Sequence, residues 1–159
     1  LSDLLEDIES FAAQVGTIGS LMGLDFGTKT IGVAISDRLQ SVGTPRETIK
    51  RKKFGVDADA IELLIAQNEV RGLVLGLPRN MDGSEGPRAQ STRAFARNLS
   101  ARIEVPIFFW DERLSTVAAQ RVLIEADMSR KKRADVVDNV AASYILQGAL
   151  DRLGHVRAS

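Results

Sequence analysis

Two apolar strands joined by a glycine turn, with a carboxylate at the end of the first, constrain this chain more than any other segment. Leu21-Met22-Gly23-Leu24-Asp25-Phe26 reads as a buried strand, Gly27 and Thr28 as a tight turn, and Thr30 to Ser36, with its β-branched residues, as the returning strand of a hairpin. Asp25 therefore sits where a strand leaves its sheet. An ionised group there needs a cation, hydrogen-bond donors or water to offset its desolvation. A metal ion meets that need, and so do the backbone amides of the turn, a common arrangement after strands.

Beyond the hairpin, strand and helix patterns alternate. Thr44 to Lys50 reads as a third strand and Val56 to Asn68 as a helix with Ile61, Leu64 and Ile65 at helical spacing. Gly72 to Gly76 is a short buried strand that breaks at Pro78. A Gly-, Asn- and Asp-rich loop leads to a helix over Pro87 to Ser100, with proline in its first turn, and then to the strand Val105 to Trp110. Ser115 or Thr116 can cap a helix running to Ala126. The last helix spans Ala134 to Leu153, its apolar face built from Val137, Val140, Ala141, Tyr144, Ile145 and Leu150. This order predicts an α/β fold: a mixed five-stranded sheet flanked by helices, in which an antiparallel hairpin joins parallel strands. Ligands of such sheets gather at the carboxyl ends of the parallel strands. Asp25 and the pair Asp111-Glu112 both fall at such ends.

The 159 residues, 44% of them hydrophobic and 26% charged, suit one globular domain with its own core. Cysteine is absent, which excludes disulfides, thiolate zinc sites and cysteine nucleophiles. The one histidine, His155, lies in a polar tail, so no Ser-His-Asp arrangement is credible. No apolar run approaches the length of a membrane span and the first residues are acidic, unlike a secretory signal, so a cytoplasmic location is expected. The formal net charge of zero conceals an asymmetry: Asp3, Glu6, Asp7 and Glu9 fall in the first 20 residues without one base, which leaves the rest modestly basic. Basic side chains cluster at Lys50-Arg51-Lys52-Lys53, at Arg130-Lys131-Lys132-Arg133, and at Arg88, Arg93 and Arg97 of one helix. Each cluster alone reads as a solvated surface; together they point to a polyanionic partner.

A further acidic pair, Asp135 and Asp138, shares a face near the start of the last helix, where carboxylates also serve as dipole and capping partners. Asp138 lies deeper, beside Val137 and Val140. Asp25, one of Asp111 or Glu112, and Asp138 would make a three-carboxylate cage suited to hard divalent cations such as Mg²⁺ or Mn²⁺. Two ions about 4 Å apart could activate water on one side of a phosphodiester and stabilise the leaving oxygen on the other.

Four motifs in order carry a resemblance: Leu24-Asp25-Phe26-Gly27-Thr28-Lys29-Thr30-Ile31-Gly32-Val33-Ala34, Gly76-Leu77-Pro78-Arg79-Asn80-Met81-Asp82-Gly83-Ser84, Asp111-Glu112-Arg113-Leu114-Ser115-Thr116, and Val137-Asp138. In order and spacing they resemble the YqgF/RuvX family of bacterial nucleases over about Leu21 to Leu153. The resemblance implies an RNase H-like fold, a divalent metal (Mg²⁺ or Mn²⁺), and either maturation of the 5′ end of pre-16S ribosomal RNA or Holliday-junction resolution. It also implies that Asp25, Glu112 and Asp138 are the acidic site residues, with Asp135 as an extra metal ligand. In RuvC-type resolvases the second acid follows the fourth strand, where this chain has Gly76-Leu77-Pro78. Expected nucleic-acid contacts are Lys29, Arg79, Arg88, Arg93, Arg97, Arg113, Arg130, Lys131, Lys132 and Arg133. Expected partners are pre-rRNA or branched DNA, ribosomal particles, and a second copy in a homodimer.

Residues 1–20 fall outside the resemblance, 21–153 form the nuclease domain, and 154–159 a polar tail. Asp3 with Glu6, and the apolar Leu4, Leu5, Ile8, Phe11 and Val15, suggest an acidic amphipathic helix that packs on the domain, covers a basic surface or mediates dimerisation. The Gly76 to Gly86 loop, long for a plain connection, reads as a substrate-positioning segment with Arg79 reaching a phosphate. Two other readings stay open. Asp-x-Gly-Thr-Lys-Thr-x-Gly also resembles the phosphate-binding turn of the actin, sugar-kinase and Hsp70 ATPases, although those need two such domains. A non-catalytic nucleic-acid-binding module that keeps the fold is the third.

Overall fold

The structure is a computed structural model and describes residues 1–115, 117 and 130–158, with the side chains of 130–138 excepted. In chain order the elements are β1 (Leu4–Leu5), α1 (Ile8–Val15), β2 (Leu21–Phe26), β3 (Thr30–Ser36), β4 (Gly43–Lys50), α2 (Phe54–Gln67), β5 (Gly72–Leu77), α3 (Pro87–Ser100), β6 (Ile107–Asp111), a 3-10 turn (Glu112–Leu114) and α4 (Arg130–Ala158). The sheet has the order β1-β6-β5-β2-β3-β4. β2, β5, β6 and β1 run parallel, while β2–β3 and β3–β4 are antiparallel.

The sheet thus has six strands where the sequence pattern gives five. The additional strand is Leu4–Leu5, which the apolar spacing suggests is helical. It pairs with β6 in the register Leu4 to Ile107 and Leu5 to Phe108, and the Asp3 carbonyl accepts a hydrogen bond from Ile107 N. An otherwise open parallel edge supplies partners that an isolated first helical turn cannot. The helix starts only at Ile8, where Asp7 caps it by accepting from Ser10 N at 3.0 Å.

Alternation along the strands builds two cores, one on each face. Met22, Leu24, Phe26, Leu73, Leu75, Ile107 and Phe109 pack beneath α2 and α3. Leu21, Val74, Phe108 and Trp110 pack beneath α1 and α4. Phe11 of α1 is fully buried and stacks on Phe108 at 5.2 Å between ring centroids, so residues 1–20 are part of the packed body.

The long helix α4 differs from expectation in extent and in face. Its buried stripe is Ala141, Ala142, Ile145, Leu146, Ala149, Leu150 and Leu153, whereas Tyr144 is exposed. Small residues win because the helix lies almost on the sheet: a Cβ on Gly23 would stand 2.7 Å from Leu146 Cβ and 2.8 Å from the Ala142 carbonyl oxygen. The helix expected from Ser115 or Thr116 to Ala126 lies outside the described residues, apart from the buried Val117. Among the described residues no helix is long and apolar enough to cross a membrane.

Candidate functional site

Asp25 is the penultimate residue of β2 and is 2% exposed. Alternation places it on the α4 face with Leu21 and Gly23. Its register partner on β3 is Gly32. On the other side, Leu24 pairs with Leu75, so the β5 residue level with Asp25 is Gly76. Neither neighbour carries a side chain, which leaves the sheet bare on both sides of the carboxylate.

Glu112 reaches onto one of those bare positions. It opens the 3-10 turn after β6, and its Oε2 lies 2.9 Å from where a Cβ on Gly76 would stand. Ile145 Cδ1 of α4 lies 2.5 Å from the same point, so only glycine admits both. β6 is not a neighbour of β2; β5 lies between them. By extending over Gly76, the Glu112 carboxylate stands above β5, the immediate neighbour of the strand that carries Asp25. The bare Gly76 is therefore the ground over which the acid after the next strand extends.

Asp111 is committed elsewhere. Its Oδ1 accepts Arg113 N at 3.0 Å, capping the 3-10 turn, and its Oδ2 accepts Arg113 Nη2 at 2.7 Å. The Arg113 hydrogen bonds hold the Asp111 carboxyl below its ordinary value. Of the two adjacent acids, Glu112 is the one that extends over Gly76, the β5 residue level with Asp25.

Asp135 and Asp138 lie in the first turns of α4, and their side chains are outside the described residues. By backbone position Asp138 stands one turn before Ala142, which packs on Gly23. From Gln147 to Asn139 the helix passes from Gly43 to Arg46 along β4, and so runs backward toward the strand end that carries Asp25. Among the described residues no three acids gather as a metal-binding group. Two of the expected three do share one end and one face of the sheet. An all-carboxylate set, one member buried and the other seated over a bare glycine, has the chemistry of a hard divalent cation's ligands.

The expected nucleic-acid contacts divide into two groups. Arg79, Arg93 and Arg113 are engaged within the protein. Glu6, just past β1, accepts from both Arg79 Nη2 and Arg93 Nη2 at 2.9 Å. Glu85 takes Arg93 Nε at 2.6 Å and lies 3.4 Å from Arg79 Nη2. The Arg93 hydrogen bond pulls Glu85 below its ordinary value and raises Arg93 in turn. Arg93 also lies over the Phe109 ring, 5.0 Å from its centroid. The N-terminal segment thus covers part of the basic surface with one carboxylate. The loop after Pro78 closes on itself, with Asp82 Oδ1 accepting Ser84 Oγ at 2.6 Å and Asn80 N donating to the Ser84 carbonyl. Lys29, Arg88 and Arg97 are exposed. Arg130, Lys131, Lys132 and Arg133 occupy the start of α4, their side chains outside the described residues.

Arg51 was hidden inside a basic run. Its Nη1 donates to the carbonyls of Gly27 at 2.8 Å and Thr28 at 3.1 Å, and its guanidinium lies 4.2 Å from the centroid of the Phe26 ring. It therefore braces the turn directly after Asp25. Only the charge of the Lys50 to Lys53 cluster could have drawn attention to it.

The fold is similar to that of a solved RuvC, "T. thermophilus RuvC in complex with Holliday junction substrate". The TM-score is 0.55 at 10% identity, over 86% of this chain and 96% of that one. The fold class is that of the RuvC-like, RNase H-like α/β proteins. A family model described as "RuvX: Holliday junction resolvase" matches residues 19–152. A protein of Ruegeria sp. (strain TM1040), named "Putative pre-16S rRNA nuclease", is 66% identical over 95% of this chain and 96% of its own length. One of the same name from Jannaschia sp. (strain CCS1) is 65% identical over 98% and 99%. This chain belongs to the RuvX family, and it is a nuclease, a hydrolase of nucleic-acid phosphodiester bonds.

Proposed function

We propose that this protein is a divalent-metal-dependent nuclease that matures the 5′ end of pre-16S rRNA in the cytoplasm, acting on ribosomal precursor particles. The observation that carries the reading is the Glu112 carboxylate over bare Gly76, beside the buried Asp25. Asp25, Glu112 and Asp138 would hold Mg²⁺ or Mn²⁺, with Asp135 as an auxiliary ligand. The bound metal would supply a water made nucleophilic at neutral pH and charge stabilisation for the leaving oxygen.

The remaining work falls to the chain itself. Asp25 is buried, and its strand fixes the carboxylate without a flexible stem. Glu112 adds reach from a turn, and Ile145 limits where that carboxylate can swing. Lys29, Arg88, Arg97 and the Arg130 to Arg133 run offer positive charge to a phosphate backbone. Arg79, Arg93 and Arg113 serve by fixing the strand ends and the loop through Glu6, Glu85 and Asp111.

The names carried by the relatives favour pre-rRNA, and the description of the family model favours a four-way DNA junction. Purified protein assayed on a pre-16S 5′ fragment, a four-way junction and plain duplexes, each with Mg²⁺, Mn²⁺ or EDTA, separates the two. Preferential cleavage of the junction, or cleavage indifferent to Asp25→Asn, would overturn this proposal.

A further inference from the structure

Several of the described arginines are neutralised. Arg79, Arg93, Arg102 and Arg113 each face a carboxylate. Arg51 and Arg88 have no acidic partner among the described residues, and they line the same cavity of about 190 Å³. Phe26 and Pro87 form its apolar walls, and Thr28 and Ser91 contribute hydroxyl-bearing side chains. Phe26 follows Asp25 directly and points to the opposite face, where it stacks on Phe95. The cavity therefore opens at the same strand end as the acids, on the α3 side of the sheet.

We infer that this cavity is a binding pocket for one backbone phosphate of the nucleic-acid strand, one or two nucleotides from the bond cleaved at Asp25. This inference rests on the nuclease reading of the acids. The size fits a phosphate with the edge of its sugar and not a whole nucleoside, since pockets that engulf a small molecule begin near 300 Å³. Arg51 is held before any ligand arrives, by the Gly27 and Thr28 carbonyls and the Phe26 ring, so little side-chain freedom is lost on binding. Its carbonyl partners fix the guanidinium without cancelling its charge. Arg88 supplies the second cation, from the first turn of α3. A strand lying across the carboxyl edge would be gripped on the α3 face here and presented to Asp25 and Glu112 on the α4 face. The Gly27 turn, shared by both, transmits the register.

The test is a binding titration of the whole chain in EDTA. The probe is an oligonucleotide spanning the cleavage region, in which one neutral methylphosphonate linkage is moved position by position. Wild type should lose about tenfold in affinity at a single position beside the cleavage site, the scale of one charge-assisted contact. Arg88→Gln, at an exposed site, should lose a similar factor on the unmodified strand and nothing further at that position, and its salt slope should fall by about one. Arg51→Lys, which keeps the charge but not the fork, should lose affinity at the same position. Wild-type affinity in Arg88→Gln, or a loss that adds equally at every position, overturns the pocket. Parallel assays with Mg²⁺ and Mn²⁺ separate the two readings. A position-specific loss without any cleavage sinks the nuclease site and spares the pocket, whereas normal cleavage with a uniform loss does the reverse.

Discussion

Gly76→Ala isolates the way Glu112 reaches the site. The new Cβ would stand 2.5 Å from Ile145 Cδ1 and 2.9 Å from Glu112 Oε2, so the carboxylate must retreat by about half an ångström and the isoleucine by more. Both obstacles are ends of flexible side chains, and the backbone need not move. Overpacking of this kind costs about 1–3 kcal/mol. The lost glycine returns about 0.4–1 kcal/mol through the unfolded state. The net cost is therefore about 0–2.6 kcal/mol, and at about 2–4 °C per kcal/mol for a chain of this size Tm falls by no more than about 10 °C. Activity should fall much further, by about 10- to 100-fold, because a catalytic constellation tolerates misplacement of well under an ångström. A thermal melt and a metal-dependent cleavage assay on the same preparation give both numbers. The double variant Gly76→Ala, Glu112→Asp should cleave no more slowly than Glu112→Asp alone, since the shorter acid no longer meets the new methyl. A folded Gly76→Ala protein with wild-type turnover would refute the claim that Glu112 works from above Gly76.

Asp25→Asn, Glu112→Gln and Asp138→Asn should each abolish cleavage while leaving nucleic-acid binding and the thermal melt nearly intact, and normal turnover in any two of them removes the proposed site. Asp135→Asn should slow cleavage only partially; severity equal to Asp138→Asn, read from the same rates, would move the site toward the resolvase arrangement. Arg93→Ala should lower Tm by leaving Glu6 and Glu85 with Arg79 alone, and should leave the salt slope of binding unchanged, unlike removal of Arg88 or Arg97. The Arg93 hydrogen bond keeps Glu85 below its ordinary value of 4.5. The stability it contributes is therefore fully present above that pH and is lost as pH falls through the lower, folded value. Glu85→Gln should accordingly melt below wild type at neutral pH, with a gap that narrows under acid conditions; a constant gap across a pH series of melts would exclude the ion pair as its source.

Periodicity reveals those parts of the molecule that are repeated along the chain. The hairpin at Gly27, the parallel strands, and α3 from Pro87 to Ser100 follow from alternation, helical spacing and proline placement, and the structure has all of them. The first strand is different. Leu4 and Leu5 carry no strand signal of their own, and they become a strand only because β6 offers an open edge, a fact about a segment about a hundred residues away. The face of α4 escapes the sequence pattern for a related reason. Tyr144 looks like a core residue until the helix is known to lie against Gly23, after which only alanine and the stems of Leu146 and Ile145 fit.

The site shows the same division between local signal and long-range geometry. Asp25 is legible because an acid ending an apolar strand is a local anomaly. Glu112 is legible as a residue and not as a position, since its value depends on Gly76 having no side chain and on β5 lying between β6 and β2. The arginines divide in a way the sequence does not show. Sequence counts Arg79, Arg88 and Arg93 as equal donors to a phosphate backbone, yet Glu6 and Glu85 claim two of them and leave Arg88 facing the cavity it shares with Arg51. An acidic N-terminal segment and a basic body thus cancel in a defined place. The cancellation leaves Arg51 and Arg88 without an acidic partner among the described residues, at the strand end that carries Asp25. Net charge, which is zero for this chain, carries none of that information; the pairing of each cation does.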